Sequence, residues 1–273
     1  MAKAKWSFIF QQLWDFFVKQ LKAVLFGALI LLGLGLSKYL TLPWLERYDW
    51  LLIYVLLIQV ILLWTKFERA FDLIAIMIFH IMGMVLEIYK VKFGSWTYPE
   101  PALFEIFNVP LYSAFMYSAI GSYIVRIIKE MDIEVKHWPR WYYLLGLSGA
   151  IYLNFFTDTH GFDYRDFLYI VILILFWKTK FTFKVGGVVH EWLAVIGFFL
   201  IGLFIYFAEN IGSFFNAWRY SYQLTTWRLV DVGKISSWTL LIIITIIIVV
   251  ELQRLANLPL FAKKLKIKNI IKE

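Results

Sequence analysis

Residues 80–100, HIMGMVLEIYKVKFGSWTYPE, decide how this chain is to be read. The stretch opens inside an apolar run, leaves it through Lys90 and Lys92, and closes in a Gly, Trp, Tyr and Pro loop ahead of the next apolar run. Lysines and aromatics at the end of an apolar run of about 20 residues mark a helix that stops at a water–lipid boundary. No other stretch between two apolar runs carries as much chemistry.

The rest of the chain fits a membrane. It is 62% hydrophobic and 20% aromatic, with a mean hydropathy of +0.72, more apolar surface than one water-soluble core can hide. Apolar segments fall at 21–42, 48–65, 70–89, 107–128, 141–156, 164–177, 188–208 and 236–252. They predict an all-α, polytopic transmembrane helix bundle of about eight spans. The fifth and sixth are short and could instead form a hairpin that dips in and returns. In residues 1–20, Trp6, Ile9, Phe10, Leu13, Phe16 and Phe17 share one face, with Gln12, Asp15 and Lys19 opposite, which predicts an amphipathic interfacial helix. Residues 21–252 form the expected bundle and 253–273 a basic tail, whose Lys263, Lys264, Lys266, Lys268 and Lys272 suit anionic lipid.

Charge sets the expected topology. With eight spans, 19 Lys and Arg fall on one side and 8 on the other, which places both termini in the cytoplasm of a bacterial plasma membrane. The net charge of +8 is thereby a topology signal, and no nucleic-acid partner is expected. The chain has no cysteine, so disulfides and thiolate chemistry are excluded. The 80–100 stretch, the loop from Asn154 to Asp166 and the segment from Trp218 to Lys234 share the non-cytoplasmic side, where an outward-facing polar and aromatic pocket is expected.

Candidate catalytic residues follow from depth. His80 and Glu87 are seven residues apart, within about 20° around a helix and about 10 Å along it. Ionisable groups at membrane depth normally face the interior and a partner. His80 and Glu87 are thus acid–base candidates. The bland alternative is a His bonded between helices and a Glu neutralised by Lys90 or Lys92. Lys90, Trp96, Tyr98, Tyr112, Tyr117, Asn154, Asp158, His160, Trp218 and Gln223 are candidates for ligand binding. Ala114, Ser118 and Ser122 read as a close-packing stripe. Asn154 and Asp158 suit span caps.

Asp158, His160, Asp163 and Asp166 invite a metal, but a short acidic outer loop explains them as well, and neither a metal nor a cofactor is expected. His190-Glu191 reads as a pair at the start of the seventh span. No nucleotide, nucleophile-elbow or zinc-protease motif is present. No convincing internal repeat relates one half of the chain to the other.

The succession HxxGxxxExYKVxxGSWxYPE, VPLYSAFMYSAIGSYI, IYLNFF and AWRYSYQLTTWRLVDVGKISSWTLL resembles the bacterial integral-membrane family called domain of unknown function 817. The resemblance covers about residues 12 to 252 and implies no assigned activity. Tyr220-Ser221-Tyr222-Gln223 departs from the Tyr-Pro pair associated with the family there, so no proline kink is implied. A more distant resemblance is to carotenoid hydratases and lycopene cyclases, which protonate an isoprenoid double bond. It implies a proton donor among His80, Glu87 and Glu100, and cation-stabilising rings at Trp96, Tyr98, Tyr112 and Tyr117. That resemblance implies a membrane enzyme acting on an isoprenoid or other lipid by acid–base chemistry. The alternatives are a proton-coupled carrier of a small solute and a non-catalytic scaffold or sensor. The bilayer is the certain partner, a lipid or small molecule the expected ligand, and the oligomeric state is not legible.

Overall fold

The computed structural model describes residues 2–40, 42–69 and 72–256. They form eight helices: α1 (Ala2–Leu36), α2 (Arg47–Trp64), α3 (Asp72–Lys92), α4 (Ala114–Glu130), α5 (Trp141–Thr157), α6 (Arg165–Phe176), α7 (Ala194–Phe214) and α8 (Lys234–Ala256). Six are long and apolar enough to cross a membrane, all but α5 and α6. Helices α4 and α8 are the most buried and form the centre, where Ile124, Leu240, Ile242 and Ile243 pack. The outer helices expose Leu, Ile and Phe, as expected where lipid is as apolar as the core.

Short strands close both ends. They are β1 (Trp96–Thr97), β2 (Glu105–Ile106), β3 (Val109–Pro110), β4 (Glu134–Lys136), β5 (Lys180–Val185), β6 (Val188–Leu193) and β7 (Arg219–Tyr220). Strands β4, β5 and β6 make an antiparallel sheet. Its β5–β6 hairpin turns on Gly186 and Gly187 at φ of 54° and 78°, the left-handed pair a two-residue hairpin needs. The sheet packs on α1, where Lys19 Nζ donates to the Lys184 carbonyl at 2.8 Å and the Gly186 N–H to Asp15 at 2.7 Å.

At the opposite, loop end, β1 pairs with β7, Lys90 meets Asp158, and Arg165 Nη1 donates to Ser236 and Ser237 at 3.0 and 3.1 Å. The three polar regions therefore meet at one end. Helix α5 starts beside the sheet, where Trp138 Nε1 donates to Glu251 at 2.8 Å, and it ends at Asp158 in the loop end. Helix α6 returns to Thr179, which donates to the His137 carbonyl at 2.9 Å.

Two expectations change. His190 and Glu191 lie in β6 and do not start a span, since α7 begins at Ala194. Glu191 is bridged by Lys136 and Lys180, which hold its carboxyl down from 4.5 to about 2. Residues 2–36 form one continuous 35-residue helix with no break near residue 20. The basic tail lies outside the described residues.

The largest correction concerns the internal repeat, because the chain is built twice. A shift of 122 residues lays the 21-residue α3 on the 21-residue α7, and Glu87, Trp96 and Tyr98 on Glu209, Trp218 and Tyr220. Both helices end on a left-handed residue, Gly94 at φ 72° and Asn216 at φ 57°. Each is followed by the same bond, Ser95 N to the Lys90 carbonyl at 2.9 Å and Ala217 N to the Gly212 carbonyl at 3.1 Å, as in a Schellman cap. Packing repeats as well: α1 lies on α4 as α5 lies on α8, α3 pairs with α4 as α7 with α8, and α1 touches α7 as α5 touches α3. In β1–β7 the register sets Trp96 opposite Tyr220 and Thr97 opposite Arg219, so a pseudo-two-fold axis passes between Thr97 and Arg219. Both halves start at the sheet end, so the axis runs along the helices, the parallel kind of duplication.

Candidate functional site

At the matching position each half carries a buried carboxylate. Glu87 is 3% exposed and accepts three hydrogen bonds, from Trp96 Nε1 at 2.7 Å, Tyr98 at 2.7 Å and Tyr117 at 2.8 Å. Glu209 is 6% exposed and accepts from Trp218 Nε1 at 3.2 Å and from the Tyr220 hydroxyl, both at Oε1. Glycine makes the approach of the rings possible. A Cβ at Gly83 would overlap the Tyr117 ring, and one at Gly212 would overlap Trp218. Burial together with the adjacent carboxylate pushes the Tyr98 and Tyr220 hydroxyls well above their ordinary range, so both remain donors.

Two lysines complete the cluster. Lys90 is 7% exposed, pairs with Asp158, and donates to Thr159 at 3.0 Å. Lys234 lies near the axis, its Nζ 4.8 Å from the Trp96 ring centre and 4.7 Å from that of Tyr220, one ring from each half. Among the described residues no carboxylate lies within ion-pair reach of Lys234.

Glu87, Glu209, Lys90, Lys234 and Asp158 line one end of a cavity of about 320 Å³. Its remaining wall is almost entirely apolar, from α1, α4, α7 and α8. Ala28, Phe204, Phe207 and Ile211 line it and are also exposed, so it opens sideways between α1 and α7, towards their exposed apolar flank.

Of the candidates read from sequence, Glu87, Lys90, Trp96, Tyr117, Asp158 and Trp218 line this cavity, and Tyr98 reaches it through Glu87. Lys90 does not neutralise Glu87, because Asp158 holds it. His80 lies elsewhere along α3, its Nδ1 3.1 Å from Ser118 Oγ and its ring edge-on to Phe115. Glu100 is bound by Arg47 at 2.6 Å. Tyr112 is fully buried and donates to the Ala217 carbonyl at 2.9 Å. Asn154 ties a loop, accepting from Tyr164 N at 2.6 Å and donating to Asp163 at 3.2 Å. His160 is exposed beside Tyr89, 2.6 Å from its hydroxyl. Gln223 supports Tyr220, accepting from its N–H at 3.2 Å. Ser118 and Ser122 do more than pack closely, since their hydroxyls meet His80 and Glu68. Among the described residues no cluster of three or more His, Asp and Glu is placed to hold a metal.

Glu209 and Lys234 were missed by sequence reasoning. The signal for Glu209 was a lone carboxylate late in an apolar run, the criterion that singled out Glu87. For Lys234 there was none, because only the chain fold brings it between the rings.

The two cups, Glu87 with its ring donors and Glu209 with its own, both fall within a stretch that matches a known family. Residues 12–246 match the family described as protein of unknown function (DUF817). The chain belongs to that family. It is 41% identical over 244 residues to the uncharacterized protein YoaT of Bacillus subtilis (strain 168), covering 89% of this chain and 92% of that protein. No solved structure matches. The likeness to carotenoid hydratases and lycopene cyclases is not shown by these comparisons. The DUF817 match includes both halves of the repeat, so the duplication lies inside the family's own boundaries.

Proposed function

We propose that this DUF817 protein takes an amphiphilic, lipid-class molecule from the bilayer into the side cavity and acts on its polar head by acid–base chemistry. The observation that carries the reading is the cavity itself: apolar along its length, open towards lipid, with buried charge at one end only. Such polarity matches a molecule with a head and a chain. In this reading Glu209 and Lys234 meet the head, since among the described residues Oε2 of Glu209 accepts no hydrogen bond and the Lys234 ammonium donates none. Glu87, held by three donors, fixes the ring wall. Proton chemistry moves from His80 and Glu100 to the groups that line the cavity.

The setting is part of the proposal: eight crossings of a bacterial plasma membrane, both termini cytoplasmic, the loop end outward and the start of α1 in the interface. The sheet-to-loop course of α5 and the return of α6 support eight crossings over a hairpin that dips and returns.

A proton-coupled carrier is the second reading, and one observation favours it. Parallel repeats with a site at their junction are a transporter architecture. A polar seam also follows α3–α4, with Glu68 at Ser122, His80 at Ser118 and Glu87 at Tyr117.

The test is mass spectrometry of organic extracts from the purified protein, its Ala28→Trp variant, which plugs the cavity mouth, and its Lys234→Met variant. A lipid enriched over bulk detergent lipid in the wild type, absent from the plugged variant and reduced in Lys234→Met, is the expected result. Identical extracts from all three folded proteins would sink the reading.

A further inference from the structure

A second cavity of about 430 Å³ continues the first towards the sheet. The two share Val24, Tyr123 and Phe204 in their walls. Its lining is apolar save for Gln20 and the hydroxyl of Tyr123, which bond to each other at 3.0 Å. It too borders the gap between α1 and α7, where Phe17, Leu21 and Leu200 are exposed. Phe181, Phe183 and Trp192 of the β5–β6 hairpin close its far end.

The length of the combined slot limits what can fill it. Lys234 marks the polar end and Val250 the far wall, both on α8, a separation of about 24 Å at ~1.5 Å per residue. One leaflet of hydrocarbon is about 15 Å deep, half of a ~30 Å core. A chain that starts among the charges and ends on the hairpin thus passes the bilayer midplane. A chain confined to the depth of one leaflet stops short of the hairpin.

We infer, building on the reading above, that the ligand is a single-chain amphiphile of the long polyprenyl class, its head at Lys234 and Glu209 and its tail in the second cavity. The hairpin acts as the stop that sets tail length. The two cavities adjoin through shared walls and lead from the charged end as one slot, which disfavours a two-chain glycerolipid.

Native mass spectrometry of the full chain in detergent tests this, with geraniol, farnesol, geranylgeraniol and a longer polyprenol as probes beside a two-chain phosphatidylglycerol. Affinity should climb at least tenfold from farnesol to the longest probe. Leu200→Trp and Leu21→Trp, which fill the second cavity from two helices, should remove that gain while farnesol binding stays within twofold. Equal binding of all prenyl probes, an unchanged long-chain preference in both variants, or tighter binding of phosphatidylglycerol would overturn the inference and leave the lipid reading standing. No binding of any probe to the wild type would overturn both.

Discussion

The two halves of this protein fold alike and do different things. Helices α3 and α7 share their length, their cap and a carboxylate at the same position, and each of these two carboxylates takes the indole nine residues on and the phenol eleven residues on. Yet α5 closes on α3, where Tyr152 donates to the Met82 carbonyl at 3.0 Å and Phe156 packs on Tyr89, whereas α1 leaves the side cavity against α7. The positions of α1 that match Tyr152 and Phe156 hold Ile30 and Leu34. Smaller side chains leave a gap where aromatic ones filled it. The backbone repeat supplies two places for a site, and side-chain volume decides which one opens.

Removing the carboxylates should break this comparison most strongly. Glu87→Ala strands three buried donors, at about 1–3 kcal/mol each, and should cost about 4 kcal/mol. Glu209→Ala strands two donors and should cost about 2 kcal/mol. Thermal unfolding in detergent, followed by tryptophan fluorescence, measures both, and equal losses would refute the difference between the cups.

The glycines come next. Gly83→Ala and Gly212→Ala force a ring off its carboxylate, and each should cost about 2 kcal/mol by overpacking. A neutral result at either position would mean that the ring need not lie against its helix.

A matched pair of surface changes sharpens the contrast at little cost in stability. Ala28 and Ala150 correspond under the repeat and both are exposed, but only Ala28 lines the cavity. Ala28→Phe and Ala150→Phe should each shift stability by less than about 0.5 kcal/mol. Only the former should deplete co-purifying lipid, and depletion in both would argue against a one-sided site.

The smallest effect concerns pH at the sheet, which only the second half of the chain builds around its hairpin. Lys136 and Lys180 depress Glu191 from 4.5 to about 2, so its stabilising contribution is present above pH 4.5 and fades as pH falls towards 2. Trp192 emission should report hairpin loosening over that window, and Glu191→Gln should flatten the change.

Much of this was legible beforehand. Glu87, Trp96 and Tyr117 could be named because charge at membrane depth and a Gly-Trp-Tyr-Pro loop stand out against apolar sequence. The β5–β6 hairpin has its own signal, Gly186-Gly187 between alternating runs, but the apolar run that follows it dominates the pattern. The repeat was harder. Apolar residues exchange freely along lipid-facing helices, so identity survives at little beyond the Glu, Trp and Tyr of each cup. The match is also broken where α6 has 12 residues against 18 in α2.

By itself the sequence determined the solvent, the helical class and the chemical groups at one end of the bundle, because hydropathy and the cost of buried charge act locally along the chain. Only the tertiary structure decided the pairing of those groups. Lys234 reaches Trp96 from 138 residues away, Glu100 is taken by Arg47, and a cavity opens beside α1 and α7 where α5 fills the matching place on α3 with aromatic rings. Each outcome depends on which side chains fill a shared volume, and that is a property of two surfaces in contact.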